Sequence, residues 1–175
     1  MTQFIVLLRG INVNGRSLQM AALRAAAIEN GFPDCRTYIQ SGNLLLSAQG
    51  DAAAAETAIE SLIEAHFDMK VIAIARSIAD LARMAAANPF PEALPKWLHL
   101  CLTKRPISGD VIDRLAERAR HGERFALVEG ALWIDFAGGV GDSKLTPAVM
   151  DKAAGSTLTA RNWNTVQTLL AMAAE

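Results

Sequence analysis

The same order of apolar segments runs twice through this chain, with a proline-rich stretch between the two passes. In the first pass, Phe4-Ile5-Val6-Leu7-Leu8 is an unbroken apolar run, the pattern of a strand buried on both faces. A polar, glycine-punctuated loop follows from Arg9 to Arg16. Ser17 is placed to cap a helix in which Met20, Leu23 and Ala27 recur at helical spacing. Gly31 is placed to end that helix, with Phe32 as the apolar contact of a Schellman stop. Thr37–Gln40 and Leu44–Ser47 read as strands on either side of a Ser41-Gly42-Asn43 turn. Asp51 opens a second helix, whose buried stripe is Ile59, Leu62, Ile63 and Phe67, and Val71–Ala75 is the next strand. The order is β-α-β-β-α-β, the ferredoxin-like pattern.

Ser77 and Asp80 resemble a capping box in front of a third helix, with Ile78, Leu81, Ala82 and Ala85 on one face. The segment Asn88–Pro95 then holds three of the six prolines. Proline neither continues a helix nor pairs in a central strand, so this segment reads as a linker. The second pass begins with the strand Trp97–Leu102 and a helix from Asp110 to Arg120. Phe125–Val128 and Ala131–Ile134 flank Glu129-Gly130, a two-residue hairpin signal. Thr146 before Pro147 marks the next helix start, and Gly155 its end. Ser156–Leu158 reads as a short last strand, and Asn162 or Asn164 caps a final helix. The expected fold is therefore α+β, with duplicated ferredoxin-like modules and additional helices. Residues 1–76 form the first module, 77–96 a helix and Pro-rich linker, and 97–175 the second module with its C-terminal helix.

Composition narrows the function classes. Hydrophobic residues make up 51% of the 175 positions, enough for a sizeable core. Seventeen basic residues face 18 acidic ones, so no basic surplus points to general nucleic-acid binding. The N-terminus enters an apolar strand without a basic region or cleavage site, which speaks against a secretory leader. No run of 18 apolar residues is present, so no membrane span is expected. Cys35 and Cys101 stand alone. They read as two reduced, partly buried thiols of a cytosolic protein, with a disulfide as the other reading.

Motifs for cofactors and metals are missing. Gly138-Gly139-Val140-Gly141-Asp142-Ser143-Lys144 is glycine-rich, but its lysine follows the serine and no Gly-Lys pair occurs, so it is not a P-loop. The loop's amides are still of a kind that cradles anions; a plain connector is the blander reading. His66, His99 and His121 lie in separate elements without a second ligand at helical spacing. No cofactor and no metal is expected. Ser41 is the first candidate for a nucleophile, though Ser-Gly-Asn is first of all turn chemistry.

Four polar clusters interrupt the apolar framework: Arg9–Gly15, Tyr38–Asn43, Asp142–Leu145 and Thr159–Thr165. They are rich in Asn, Gln, Ser and Arg, which orient hydrogen bonds rather than exchange protons near neutral pH. That suits recognition of a small polar or anionic group. Satisfaction of turns and caps is the competing explanation, and it fits Asn12 and Asn43 better than it fits Arg9 and Arg161.

At these clusters the sequence resembles a known family. Leu8-Arg9-Gly10-Ile11-Asn12-Val13, Thr37 to Asn43, Asn88-Pro89-Phe90-Pro91, Ser143-Lys144-Leu145-Thr146 and Thr159 to Thr165 closely resemble the bacterial domain-of-unknown-function family 1697. The resemblance implies a cytoplasmic bacterial protein with ferredoxin-like repeats, and it implies no established reaction.

The leading expectation is a binding module for a small polar or anionic ligand, nucleotide- or phosphate-like. Arg9, Lys144 and Arg161 would supply charge. Asn12, Gln40, Ser41, Asn43, Ser143, Asn162 and Asn164 would orient the ligand. One alternative is a hydrolase or transferase acting on a phosphorylated or acylated substrate. Another is that the polar clusters are structural only.

Overall fold

The computed structural model describes every residue except 14 and 16. The described residues form two four-stranded antiparallel sheets and six helices, a mixed α+β architecture. The chain divides into two compact units, Met1–Leu81 with Ala173–Glu175, and Ala82–Met172.

In the first unit, β1 (Thr2–Arg9) is followed by α1 (Met20–Glu29), β2 (Arg36–Tyr38), β3 (Asn43–Ala48), α2 (Ala52–Phe67) and β4 (Ile72–Ser77). The sheet order is β2-β3-β1-β4, so β1 lies inside and pairs with both β3 and β4. Phe4, Val6 and Leu8 share a core with Leu23 and Ala27 of α1 and with Ile59 and Ile63 of α2. Ile5 and Leu7, on the other face, are equally buried. This explains the unbroken apolar run of β1: neither face has room for a polar side chain.

Local signals act as expected at several ends. The Asp51 side chain accepts from Ala54 N at 2.9 Å and caps α2. Gly31 takes φ +99° while Phe32 N donates to Ala27 O at 3.0 Å, the Schellman pattern. Along β4, the N–H groups of Ala73 and Ala75 donate to Glu60 and Glu56 of α2, at 2.8 and 2.9 Å. Ser17 does not cap α1. The helix starts from Gln19, without a side-chain cap, because Asn12 clamps both backbone groups of Leu18 and holds the chain extended there. β2 also stops early, at Tyr38, where Ile39 turns to a positive φ of 47°.

Helix α3 (Ile78–Ala86) spans the division between the units. The second unit continues with β5 (Leu98–Thr103), α4 (Val111–Ala116), β6 (Arg124–Val128), β7 (Ala131–Asp135), α5 (Pro147–Ala154), β8 (Leu158–Asn162) and α6 (Trp163–Ala173). Its sheet order is β6-β7-β5-β8. Cys101, Leu132, Ile134 and Leu158 pack with Val111 and Leu115 of α4 and Ala153 and Ala154 of α5. Glu129 and Gly130 both take positive φ, as a two-residue hairpin requires. Thr146 caps α5 through Val149 N, with Pro147 at its first position.

Two expectations change in this unit. The last strand is Leu158–Asn162 rather than Ser156–Leu158: the polar Thr159–Asn162 string is an edge strand paired with β5. The helix expected over 110–120 ends at Ala116, because the N–H groups of Arg120 and His121 turn to the Glu123 carboxylate. The proline-rich segment is ordered by its own turns, Ala93 N to Phe90 O and Trp97 N to Leu94 O. It is fastened by Arg124, which lies 4.6 Å over the Phe90 ring and pairs with Glu92 at 2.7 Å.

Candidate functional site

At the end of the first sheet where β1 finishes, two of the polar clusters meet. Asn12 holds them together from a left-handed backbone position, φ 54°. Its Oδ1 accepts from Leu18 N at 2.7 Å, and its Nδ2 donates to Leu18 O at 3.0 Å and to Gln40 O at 2.6 Å. Asn14 and Arg16 of this loop lie outside the described residues. Asn43 is fully buried and donates to Tyr38 O at 2.9 Å and to Ser41 Oγ at 3.0 Å. Leu8 N donates to Gly42 O at 2.8 Å. A Cβ on Gly42 would stand 2.6 Å from Ile11 Cδ1 and 2.8 Å from Leu8 Cβ, so this corner closes only on glycine.

The turn built this way displays its side chains. Ile39, Gln40 and Ser41 are exposed. Asn43 donates a neutral amide hydrogen to the Ser41 hydroxyl, a bond that removes no proton and belongs to the turn.

On the β4 side of β1, Arg9 pairs in register with Ile72. Arg9, Gly10, Lys70, Val71 and Ile72 line a hollow of about 300 Å³. Gly10 turns there at φ +65° with nothing within 4 Å of its Cβ position. Lys70, which also approaches Glu64 at 3.6 Å, adds a second cation. Arg9 stands out in the sequence and Lys70 does not, because their proximity depends on β4 lying beside β1, a topological fact with no local signature.

The second unit's candidate residues work within their own framework. The Ser143 hydroxyl donates to Glu123 Oε1 at 2.7 Å and its oxygen accepts from Leu145 N at 3.2 Å. Glu123 Oε2 accepts from His121 N at 2.8 Å and Arg120 N at 3.1 Å. Desolvation pushes the Glu123 carboxyl up. The hydrogen bonds, from His121 and Ser143 above all, outweigh it and hold the group down at about 2. Lys144 and Asn164 are exposed. Arg161 is 8% exposed and donates from Nη1 to Thr159 Oγ1 and to Ala160 O, both at 2.9 Å. Burial lowers its guanidinium to about 10, still charged at neutral pH. Asn162 Oδ1 accepts from Thr165 N at 3.0 Å and caps α6. Among the sequence candidates, Asn162 rather than Asn164 is that cap.

Glu123 gives a pH prediction. Its folded value lies below the ordinary 4.5, so its stabilising contribution is complete above about pH 4.5 and is lost as pH falls toward 2. Urea unfolding of Glu123→Gln at pH 7 should show a loss of about 2 kcal/mol, the scale of hydrogen bonds to a charged acceptor. The gap between wild type and variant should close as the pH is lowered toward 2. A gap independent of pH would contradict the assignment.

A larger hollow of about 390 Å³ lies between α4 and α5, lined by Arg114, Glu117, Arg118, Val149, Lys152 and Ala153. None of the four polar clusters reaches it. Arg114 and Lys152 occupy the last turns of their helices, where cations offset the helix dipole. The Arg9 hollow is the better candidate, because there a residue of the polar clusters and a second cation flank a glycine turn. Among the described residues, no three His, Cys, Asp or Glu side chains cluster as metal ligands would. No described helix is long and apolar enough to cross a membrane.

Residues 1–133 match a family described as Protein of unknown function (DUF1697). The chain belongs to the DUF1697 family. The matched stretch includes the Arg9–Asn12 and Tyr38–Asn43 clusters. The Ser143–Thr146 and Thr159–Thr165 strings lie beyond it. No curated protein matches this DUF1697 chain. A solved structure of a conserved bacterial protein from Streptococcus pneumoniae is similar to it, with a TM-score of 0.74 and 19% identity over 100% of this chain and 99% of the other. At that identity the likeness speaks for the fold.

Proposed function

We propose that this DUF1697 protein is a binding module for a small anionic ligand, nucleotide- or phosphate-like, taken at the Arg9 end of the first unit's sheet. One observation carries the proposal: Arg9 and Lys70 line a single hollow beside the backbone of Gly10, Val71 and Ile72. Two cations lining one hollow suit an anionic group. Isothermal titration with nucleotides and inorganic phosphate tests it. Arg9→Ala should weaken binding roughly 10- to 100-fold, the loss expected when a charged hydrogen bond disappears. Equal affinity in wild type and variant would refute it.

A structural reading is favoured for part of the polar set. Asn12, Asn43, Ser143 and Asn162 each bond to backbone of their own unit, which supports a role in fixing turns and a cap. The hydrolase or transferase reading draws no support from the Ser41–Asn43 bond.

We further infer that each unit is a ferredoxin-like module, as residues 1–76 and 97–175, with 77–96 between them. The support is the β-α-β-β-α-β element order with the sheet orders β2-β3-β1-β4 and β6-β7-β5-β8. Cys35 and Cys101 are buried and free, with the Cys35 thiol pushed up to about 11, mainly by burial. Unreactive, unpaired thiols support a cytoplasmic protein.

A further inference from the structure

Ile39 occupies the left-handed region at φ 47° and leaves 49% of its surface exposed. Both facts are unfavourable. A β-branched side chain at positive φ is strained, and a half-exposed isoleucine recovers little of that through burial. The surrounding turn forces the arrangement. Asn43 anchors Tyr38 O on one side of it, Asn12 anchors Gln40 O on the other, and Gly42 O is held by Leu8 N. A turn that needed only to reverse the chain would place Asn or Gly at this position. Val13, in the adjoining loop, is also an exposed large apolar residue.

The location gives the strain a use. Gly42 bonds to Leu8, the residue before Arg9. The turn flanks β1 on the β3 side, and the Arg9 hollow flanks it on the β4 side. Ile39 directly follows β2, two strands from β1 and three from β4, and neighbouring strands stand about 4.8 Å apart, so Ile39 and the Arg9 hollow are separated by roughly 10–15 Å. That is the reach of one small organic molecule and more than a bare phosphate spans.

We infer that Ile39 is the apolar contact for the body of the ligand, and that the ligand is an organic anion with a flat or apolar part, a nucleoside monophosphate rather than inorganic phosphate. This inference rests on the Arg9 reading. In it, the anion sits at Arg9 and Lys70, and Ile39 is held out in its strained position to meet the rest of the molecule. Strain kept at an exposed side chain is then a specificity device, and relieving it improves the fold while impairing recognition.

The test uses the full chain, with Ile39→Asn and Arg9→Ala, titrated calorimetrically with inorganic phosphate and with adenosine monophosphate. Asparagine accepts the left-handed backbone and lacks the apolar surface. The expected result has three parts. Adenosine monophosphate binds wild type more tightly than phosphate. Ile39→Asn weakens adenosine monophosphate roughly tenfold, as loss of one buried aliphatic contact would, and leaves phosphate unchanged. Its Tm is equal to wild type or higher. Unaltered adenosine monophosphate affinity in Ile39→Asn, with both ligands still lost in Arg9→Ala, overturns the inference and leaves the Arg9 reading standing. Binding of neither ligand to wild type overturns the Arg9 reading and this inference with it. A sharp fall in Tm, repeated in Ile39→Gly, makes Ile39 a packing residue and also overturns it.

Discussion

Gly42→Ala is expected to cost about 2–5 kcal/mol, the sum of a left-handed backbone carrying a Cβ and an overpacked corner. The backbone part follows from φ +79° at this glycine. The packing part follows from the two carbons an added methyl would meet, Ile11 Cδ1 at 2.6 Å and Leu8 Cβ at 2.8 Å. Ile11 Cδ1 is the far end of a side chain and can turn aside. Leu8 Cβ cannot, because it belongs to the central strand and is buried with the α1 and α2 core. Gly130→Ala is the control. It takes φ +74° in the β6–β7 turn with nothing within 4 Å, so it should lose only the backbone part, about 1–2 kcal/mol. Chemical denaturation of both variants measures the difference. Equal losses would mean that the corner has room the structure does not show.

Trp133→Ala should cost about 3–5 kcal/mol, as removal of a large buried aromatic does. Trp133 is completely buried on β7, and its ring lies 5.4 Å from that of Trp163. Its Nε1–H has no hydrogen-bond partner among the described residues. An orphaned buried donor costs about 1–3 kcal/mol, so this tryptophan stabilises the fold by its area and weakens it by its nitrogen. Trp133→Phe removes both the nitrogen and some volume. The two changes offset, and the net loss should stay within about 1 kcal/mol. Urea midpoints at constant m-value measure it. A Phe variant as damaged as the Ala variant would show that the nitrogen is satisfied.

The elements that were legible in the sequence share one property: their cause is local. The run Phe4–Leu8, the Asp51 and Thr146 caps, the Gly31-Phe32 stop and the Glu129-Gly130 turn each act through neighbours within a few residues. The misread ends have distant causes. Ser17 loses the helix start to Asn12, which sits six residues before Leu18 and fixes it from outside. The helix α4 is cut short by Glu123, which takes the N–H groups that would have continued it. Thr159–Asn162 looked like a loop because its residues are polar, yet β5 supplies the pairing that makes it a strand. The candidate site divides the same way. Arg9 stood out as a charge that no turn needs. Lys70 is one lysine before an apolar run until β4 lies beside β1. The strain at Ile39 had no signature either, since a single isoleucine in a turn string says nothing of its φ.

Two of the glutamates of α2 have a further effect. Glu56 and Glu60 are one helical turn apart, and they take the outward N–H groups of Ala75 and Ala73 on the outermost strand of their sheet. They stand where a neighbouring strand's carbonyls would stand. A second chain, or a loose segment of the same one, finds those donors already engaged and a pair of carboxylates in its path. The helix thus acts as a false neighbour for the sheet. It makes β4 a terminus in the chemical sense, a growing edge that has been quenched.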